Sequence, residues 1–179
     1  MDLPPDDITP QELARLTVEH YITGGEVIAP PQKPRGVMAD RAGTFVTLRT
    51  LGGLLRGCIG TIAPTCDTVA EEIIQNAISA ATRDPRFAPV RAEELPNLTY
   101  GVDVLSPPEA ARGPQDLNPA EFGVVIETLD GERRGLLLPR IEGIDTVERQ
   151  WRAVHQKARI ALGTPVKVER FRVTRFGKD

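Results

Sequence analysis

The chain has 179 residues, 40% of them hydrophobic and 26% charged, with a formal net charge of −3, enough to bury a hydrophobic interior without disulfide or metal staples. Only 4% of residues are aromatic, so aliphatic side chains must fill most of the core. The slightly acidic balance argues against a general nucleic-acid binder, which needs a basic excess to neutralise phosphates.

The opening Met1-Asp2-Leu3-Pro4-Pro5-Asp6-Asp7 lacks the basic start and apolar run of a secretory signal. No stretch approaches the roughly 18 continuous apolar residues of a membrane span, so a cytoplasmic location without membrane contact is expected. The cysteines are Cys58 and Cys66 and the histidines His20 and His155. They lack zinc-binding spacing, so no metal and no cofactor are expected, and both thiols should be reduced.

Thr9-Pro10-Gln11-Glu12 combines a capping box with proline at the first helical position, predicting a helix to about Tyr21 with Leu13 and Leu16 inward. Gly24-Gly25 ends it, and Pro30 to Pro34 reads as a surface connection. Thr44 to Thr50 and Leu54 to Ile62 are β-branched and apolar, with Gly52-Gly53 as a two-residue hairpin loop. Thr68 with Glu71 caps a second helix, whose stripe Val69, Ile73, Ala77 and Ala80 ends near Asp84-Pro85.

Leu98, Tyr100, Val102 and Val104 alternate as a half-buried strand stopped by Pro107-Pro108. Asp130-Gly131 joins Gly123 to Leu129 with Glu132 to Leu138 in a second hairpin. Asp145-Thr146 caps a third helix with Val147, Trp151, Val154 and Ala158 on one face and Trp151 as a core anchor. His20 and His155 read as surface or half-buried. In the last strand Val166 and Val168 share one phase and Phe171 and Val173 the other, which predicts a bulge near Glu169-Arg170. Hairpins with helices between them imply an α+β fold of largely antiparallel sheet with flanking helices.

The first hairpin carries the chemistry. A two-residue loop would pair Arg49 with Arg56, Thr47 with Cys58 and Phe45 with Gly60. Thr44, Val46, Leu48, Leu55 and Ile59 would then face the core, and Phe45, Thr47, Arg49, Arg56, Cys58 and Gly60 the other side. Arg56, two residues from Cys58 and roughly 7 Å away, would favour thiolate over thiol. Gly60 would leave open space beside the thiol, and Gly57 would permit close backbone packing or a bulge. Two facing arginines repel unless an anion lies between them. Asp84 is the internal candidate and a substrate anion the external one. The bland alternative for Cys58 is a small buried hydrophobe, and Cys66 has no charge partner in sequence.

Leu55-Arg56-Gly57-Cys58-Ile59-Gly60 is identical to the signature of the AMMECR domain family. Arg41 to Leu48 is similar to the family strand before it, and Asn76 to Phe87 matches the helix and turn after it. Glu94-Leu95-Pro96, Val104 to Glu109 and Gly135 to Pro139 also fit, so the resemblance runs over nearly all of residues 1–179 as a single domain. Glu142 to Glu148 looks like the subgroup called AmmeMemoRadiSam system protein A, although Lys157-Ala158-Arg159-Ile160 has arginine where that subgroup usually has glycine. The resemblance implies an α+β fold of two unequal lobes, no known cofactor, and association with a Memo-like protein and a radical S-adenosylmethionine enzyme.

Three functions are compatible with these residues. In one, Cys58 is a nucleophile or group carrier, Arg56 stabilises it or binds an anionic substrate, and Arg49, Gly57, Gly60, Asp84 and Arg86 shape the binding site. In another, the hairpin face docks a partner protein. RNA binding through the five basic residues of Val166 to Lys178 is a further alternative.

Overall fold

The computed structural model describes residues 4–177, as two compact units of unequal size, one drawn from Met1–Val104 with Thr174–Asp179 and the other from Leu105–Val173. Helices and antiparallel strand pairs are mixed in the expected α+β manner. Among the described residues no helix is long and apolar enough to cross a membrane.

The first unit is a four-stranded sheet covered by two helices. Helix α1 spans Pro10–Gly24. The Glu12 carboxylate accepts from the Thr9 amide at 3.1 Å, and Gly25 ends the helix by donating to the Tyr21 carbonyl. Strands β1 (Thr44–Thr50) and β2 (Leu55–Gly60) form the predicted hairpin, and α2 (Val69–Thr82) opens on the predicted Thr68/Glu71 capping box. With β3 (Leu98–Leu105) and β8 (Val173–Phe176), the sheet order is β2-β1-β3-β8. Leu13, Val46, Leu48, Ile73 and Ala77 are completely buried between sheet and helices. The helices cover one face of the sheet and leave β2 at an edge.

The second unit is the four-stranded sheet β4-β7-β5-β6 with one helix. β4 (Glu109–Ala111) is a short edge strand the sequence did not suggest. β5 (Gly123–Thr128) and β6 (Arg134–Leu137) flank Asp130-Gly131 as an antiparallel pair, with Glu127 opposite Arg134. Helix α3 (Val147–Ala158) is capped by the Thr146 hydroxyl, which accepts from the Arg149 amide. Trp151 packs half-buried against the core around Val154 and Ala158. His155 is 2% exposed, with Nδ1 2.9 Å from the Trp151 carbonyl oxygen, so the expectation of a surface or half-buried histidine is corrected: the buried face of α3 is wide enough to take it in.

The predicted bulge in the last strand is also corrected. β7 (Val166–Phe171) pairs regularly with β5, and after Arg172 the chain begins β8 (Val173–Phe176) in the first sheet. Val168 and Phe171 are both buried, on opposite faces of one strand. The change of phase therefore marks two buried faces followed by a change of sheet.

Candidate functional site

The β1–β2 register holds as predicted for Phe45 with Gly60, Thr47 with Cys58 and Leu48 with Gly57, then slips by one residue so that Arg49 lies opposite Leu55. The cause is the turn. Thr50 N–H donates to the Leu54 carbonyl at 2.9 Å and Gly53 N–H to the Thr50 carbonyl at 2.8 Å, so Leu51-Gly52-Gly53 is a three-residue loop, a form that ordinarily brings a bulge. Arg56 is the extra residue. The expected Arg49/Arg56 confrontation does not occur, and neither Asp84 nor any other anion is needed to relieve it. Arg49 turns to the hairpin tip, donating to the Gly53 carbonyl at 3.1 Å.

The bulge delivers Arg56 to Glu94, which it grips through Nε at 2.7 Å and Nη2 at 3.0 Å. Its side chain is only 15% exposed. The hydrogen bond from Arg56 is the main reason the Glu94 carboxyl sits below the usual range. The Arg56 guanidinium is thus held in an ion pair with Glu94 at the bulge.

Gly57 faces α2. A β-carbon there would lie 2.2 Å from the carbonyl oxygen of Ala80, so the helix backbone rests on the strand. Side chains alternate along a strand, which places Cys58 on the other face with Thr47. The Cys58 N–H points away from β1, to Asp84 Oδ2 at 2.8 Å, so Thr47 and Cys58 form a pair not hydrogen-bonded to each other through the backbone, the kind in which side chains lie closest. The Thr47 hydroxyl accordingly donates to the Cys58 sulfur at 3.3 Å. Cys58 is a free, half-buried thiol. The open space expected at Gly60 is filled, since a β-carbon there would meet Cγ of Phe45 at 2.3 Å; the ring lies over the glycine.

Asp84 and Arg86 complete the site. Asp84 is 4% exposed. Besides the Cys58 amide it accepts from Arg86 N–H at 3.1 Å, Nε at 2.9 Å and Nη2 at 2.6 Å. The Arg86 side-chain hydrogen bond holds the Asp84 carboxyl well below the ordinary carboxylate range, and the same bond pushes the Arg86 guanidinium up. Arg86 Nη2 also reaches the Cys58 carbonyl at 3.4 Å. The outward N–H and C=O of Cys58, which an edge strand would leave unpaired, are thus satisfied by one acid and one base from the turn after α2. The Phe87 ring lies 5.5 Å from the Arg86 guanidinium carbon and 5.8 Å from that of Arg56.

Of the seven candidates, Cys58, Asp84 and Arg86 converge with Gly57 behind them, Arg56 joins through Phe87, and Arg49 and Gly60 serve the turn and the Phe45 contact. Sequence reasoning passed over the network on the far side of the hairpin. Glu72 is 1% exposed, and its hydrogen-bond partners among the described residues are neutral. Its carboxylate accepts from the Thr61 and Thr65 hydroxyls and from the Thr65 and Cys66 amides. Asn76 ties the same Thr61 hydroxyl to Thr44. The only advance signal was a glutamate on the apolar stripe of α2 after a loop rich in hydroxyls. Cys66 therefore has an acidic neighbour after all, and burial followed by the Glu72 charge pushes its thiol up. In the C-terminal basic segment Arg170, Arg172 and Arg175 meet Glu109, Glu121 and Asp103, and Lys178 lies outside the described residues.

Comparison with known proteins gives a consistent picture. The AMMECR1 family model matches residues 11–178. A Thermotoga maritima protein is 48% identical over 161 residues, covering 89% of this chain and 91% of that protein. A Clostridium acetobutylicum protein is 44% identical over 166 residues, which cover 92% of this chain and 35% of that longer protein. The crystal structure of an uncharacterized protein from Pyrococcus horikoshii superposes with a TM-score of 0.86 at 33% identity, covering 95% of this chain and 90% of that one.

Proposed function

The chain belongs to the AMMECR1 family, and we propose that within it this protein is a cytoplasmic, cysteine-dependent enzyme or group carrier with Cys58 as the covalent residue. The observation carrying the reading is the setting of the thiol. Its sulfur is half-buried, oriented by the Thr47 hydroxyl, and mounted on a strand whose backbone is pinned at N–H and C=O by Asp84 and Arg86. A structural cysteine packed in aliphatic surroundings needs none of this, whereas a reacting group gains from fixed geometry. In the covalent step an S–C bond forms as a leaving group departs from the substrate carbon, and the thiol proton passes to water.

Iodoacetamide labelling of the native protein, read by peptide mass spectrometry, tests this reading. Cys58 is expected to label several-fold faster than Cys66, which burial and Glu72 hold in the unreactive thiol form. A Cys58 that labels only after denaturation ends it.

One observation favours a second reading, in which the hairpin docks a partner. Leu51 and Leu54, on either side of its turn, are 67% and 72% exposed, and two such side chains close together form an apolar spot that a partner protein could cover. The resemblance to the AmmeMemoRadiSam subgroup makes a Memo-like protein and a radical S-adenosylmethionine enzyme the partners to test. Cys58→Ser separates the two, since docking survives the change and covalent chemistry does not. RNA binding is the weaker alternative, because three of the five cations in the C-terminal segment already face carboxylates; salt-independent or undetectable binding would remove it.

A further inference from the structure

We infer that Arg86, rather than Arg56, receives the charged part of whatever Cys58 reacts with, so that the site takes electrophiles bearing a carboxylate or phosphate oxygen beside the reacting carbon. The inference rests on the covalent reading of Cys58. Both arginines lie against Phe87, but they are held differently. Arg56 is 15% exposed and spends Nε and Nη2 on the partly buried Glu94. Arg86 is 53% exposed, while the Asp84 that anchors it is 2% exposed in its side chain.

Asp84 takes the Nε and Nη2 side of the Arg86 guanidinium. Among the described residues Nη1 meets no acceptor, and Nη2, which gives one proton to Asp84, has only the long 3.4 Å contact to the Cys58 carbonyl for the other. The group is therefore fixed along one edge by a buried acid, with the ring of Phe87 beneath it, and presents its other edge to solvent beside the residue that carries the thiol. A guanidinium immobilised in this way has already lost the rotamer freedom that binding an anion would otherwise cost. A planar fork presenting two N–H groups also matches a carboxylate or phosphate better than it matches a neutral oxygen.

The test uses two reagents with the same leaving group. Iodoacetate and iodoacetamide both alkylate sulfur with loss of iodide and release of the thiol proton to buffer, and only the first is an anion. The ratio of their rates at Cys58 is measured in the folded protein and, as reference, at the same cysteine in urea. The folded ratio is expected to exceed the reference by about twofold at low ionic strength, less than the roughly fivefold of one unpaired unit charge at close range in water because Asp84 offsets part of the field, and to shrink as salt is added.

Arg86→Gln is expected to bring the ratio to the reference value or below it, since it leaves the Asp84 charge unpaired beside Cys58, Arg86→Lys to retain part of the excess, and Arg49→Gln to leave it unchanged. Should Arg86→Gln loosen the strand edge, both reagents speed up together and the ratio still reports charge recognition. A folded ratio equal to the reference, or one that survives Arg86→Gln, overturns the anion site while leaving the thiol reading intact. A Cys58 inert to both reagents overturns the thiol reading and the anion site with it.

Discussion

A methyl group at position 57 would stand 2.2 Å from the Ala80 carbonyl oxygen, closer than any packed β-carbon can approach backbone, and neither strand nor helix can yield through a flexible side chain. Gly57→Ala should therefore force β2 and α2 apart at the point that fixes Cys58. Overpacking of this kind typically costs about 1–3 kcal/mol, which for a chain of this size is a fall in Tm of roughly 2–12 °C. Thermal unfolding by circular dichroism measures it, and a variant melting with the parent would mean that α2 does not rest on the strand. Alternation along β1 and β2 made the sides of Thr47, Gly57 and Cys58 legible in the sequence, because a period of two follows from strand geometry alone. The partners of the charged residues were not legible, since Glu94 lies 38 residues from Arg56 and nothing local selects it.

At the scale of elements, the capping boxes of α1 and α2, the Thr146 cap of α3 and the place of the second hairpin at Asp130-Gly131 could all be read in advance, since each is set within four or five residues of chain. The first hairpin could not be read fully. Whether Gly52-Gly53 closes a two-residue or a three-residue loop depends on how Leu51 is held, and Leu51 N–H is taken by the carbonyl of Asn97, a contact from a distant turn. One extra loop residue then moved Arg56 from the face of the sheet to its edge. The end of α3 offers a test of local logic. Arg159 caps it with φ 55 and ψ 40 in the left-handed region, where the subgroup it resembles usually has glycine. A side chain costs about 1–2 kcal/mol there, and glycine gives back part of that through the unfolded chain. Arg159 is exposed, and its carbonyl, which accepts from Arg133, is retained by any residue. Arg159→Gly should therefore raise stability by about 0.5–1 kcal/mol, read as a higher urea midpoint at unchanged slope; a lower midpoint would show that the arginine side chain contributes more than its backbone strain removes.

At the scale of the molecule, three carboxylates of the first unit lie around the hairpin: Asp84 under Arg86, Glu94 under Arg56, and Glu72, which accepts from hydroxyls and amides. All three are held below their ordinary values. A carboxyl whose folded-state value is depressed contributes stability that is complete above its unfolded value, about 4, and that is lost as pH falls through the folded one. Unfolding then takes up protons, and stability declines by up to about 1.4 kcal/mol per pH unit for each such group. The urea midpoint should therefore be level from pH 7 to 5 and fall steeply from pH 4 to 3. Glu72→Gln separates the charge from the packing. An amide can keep the contacts with the Thr61 and Thr65 hydroxyls, which can donate or accept, but it loses the charge that strengthens the Thr65 and Cys66 amide bonds. The variant should be weaker than the parent by on the order of 1–2 kcal/mol at pH 7, and the gap between the two curves should narrow as pH falls below the ordinary glutamate range and the parent carboxylate is neutralised in its turn. A constant offset between the two curves at every pH would mean that Glu72 acts through its shape, and that the loop following the Cys58 strand is held without its charge.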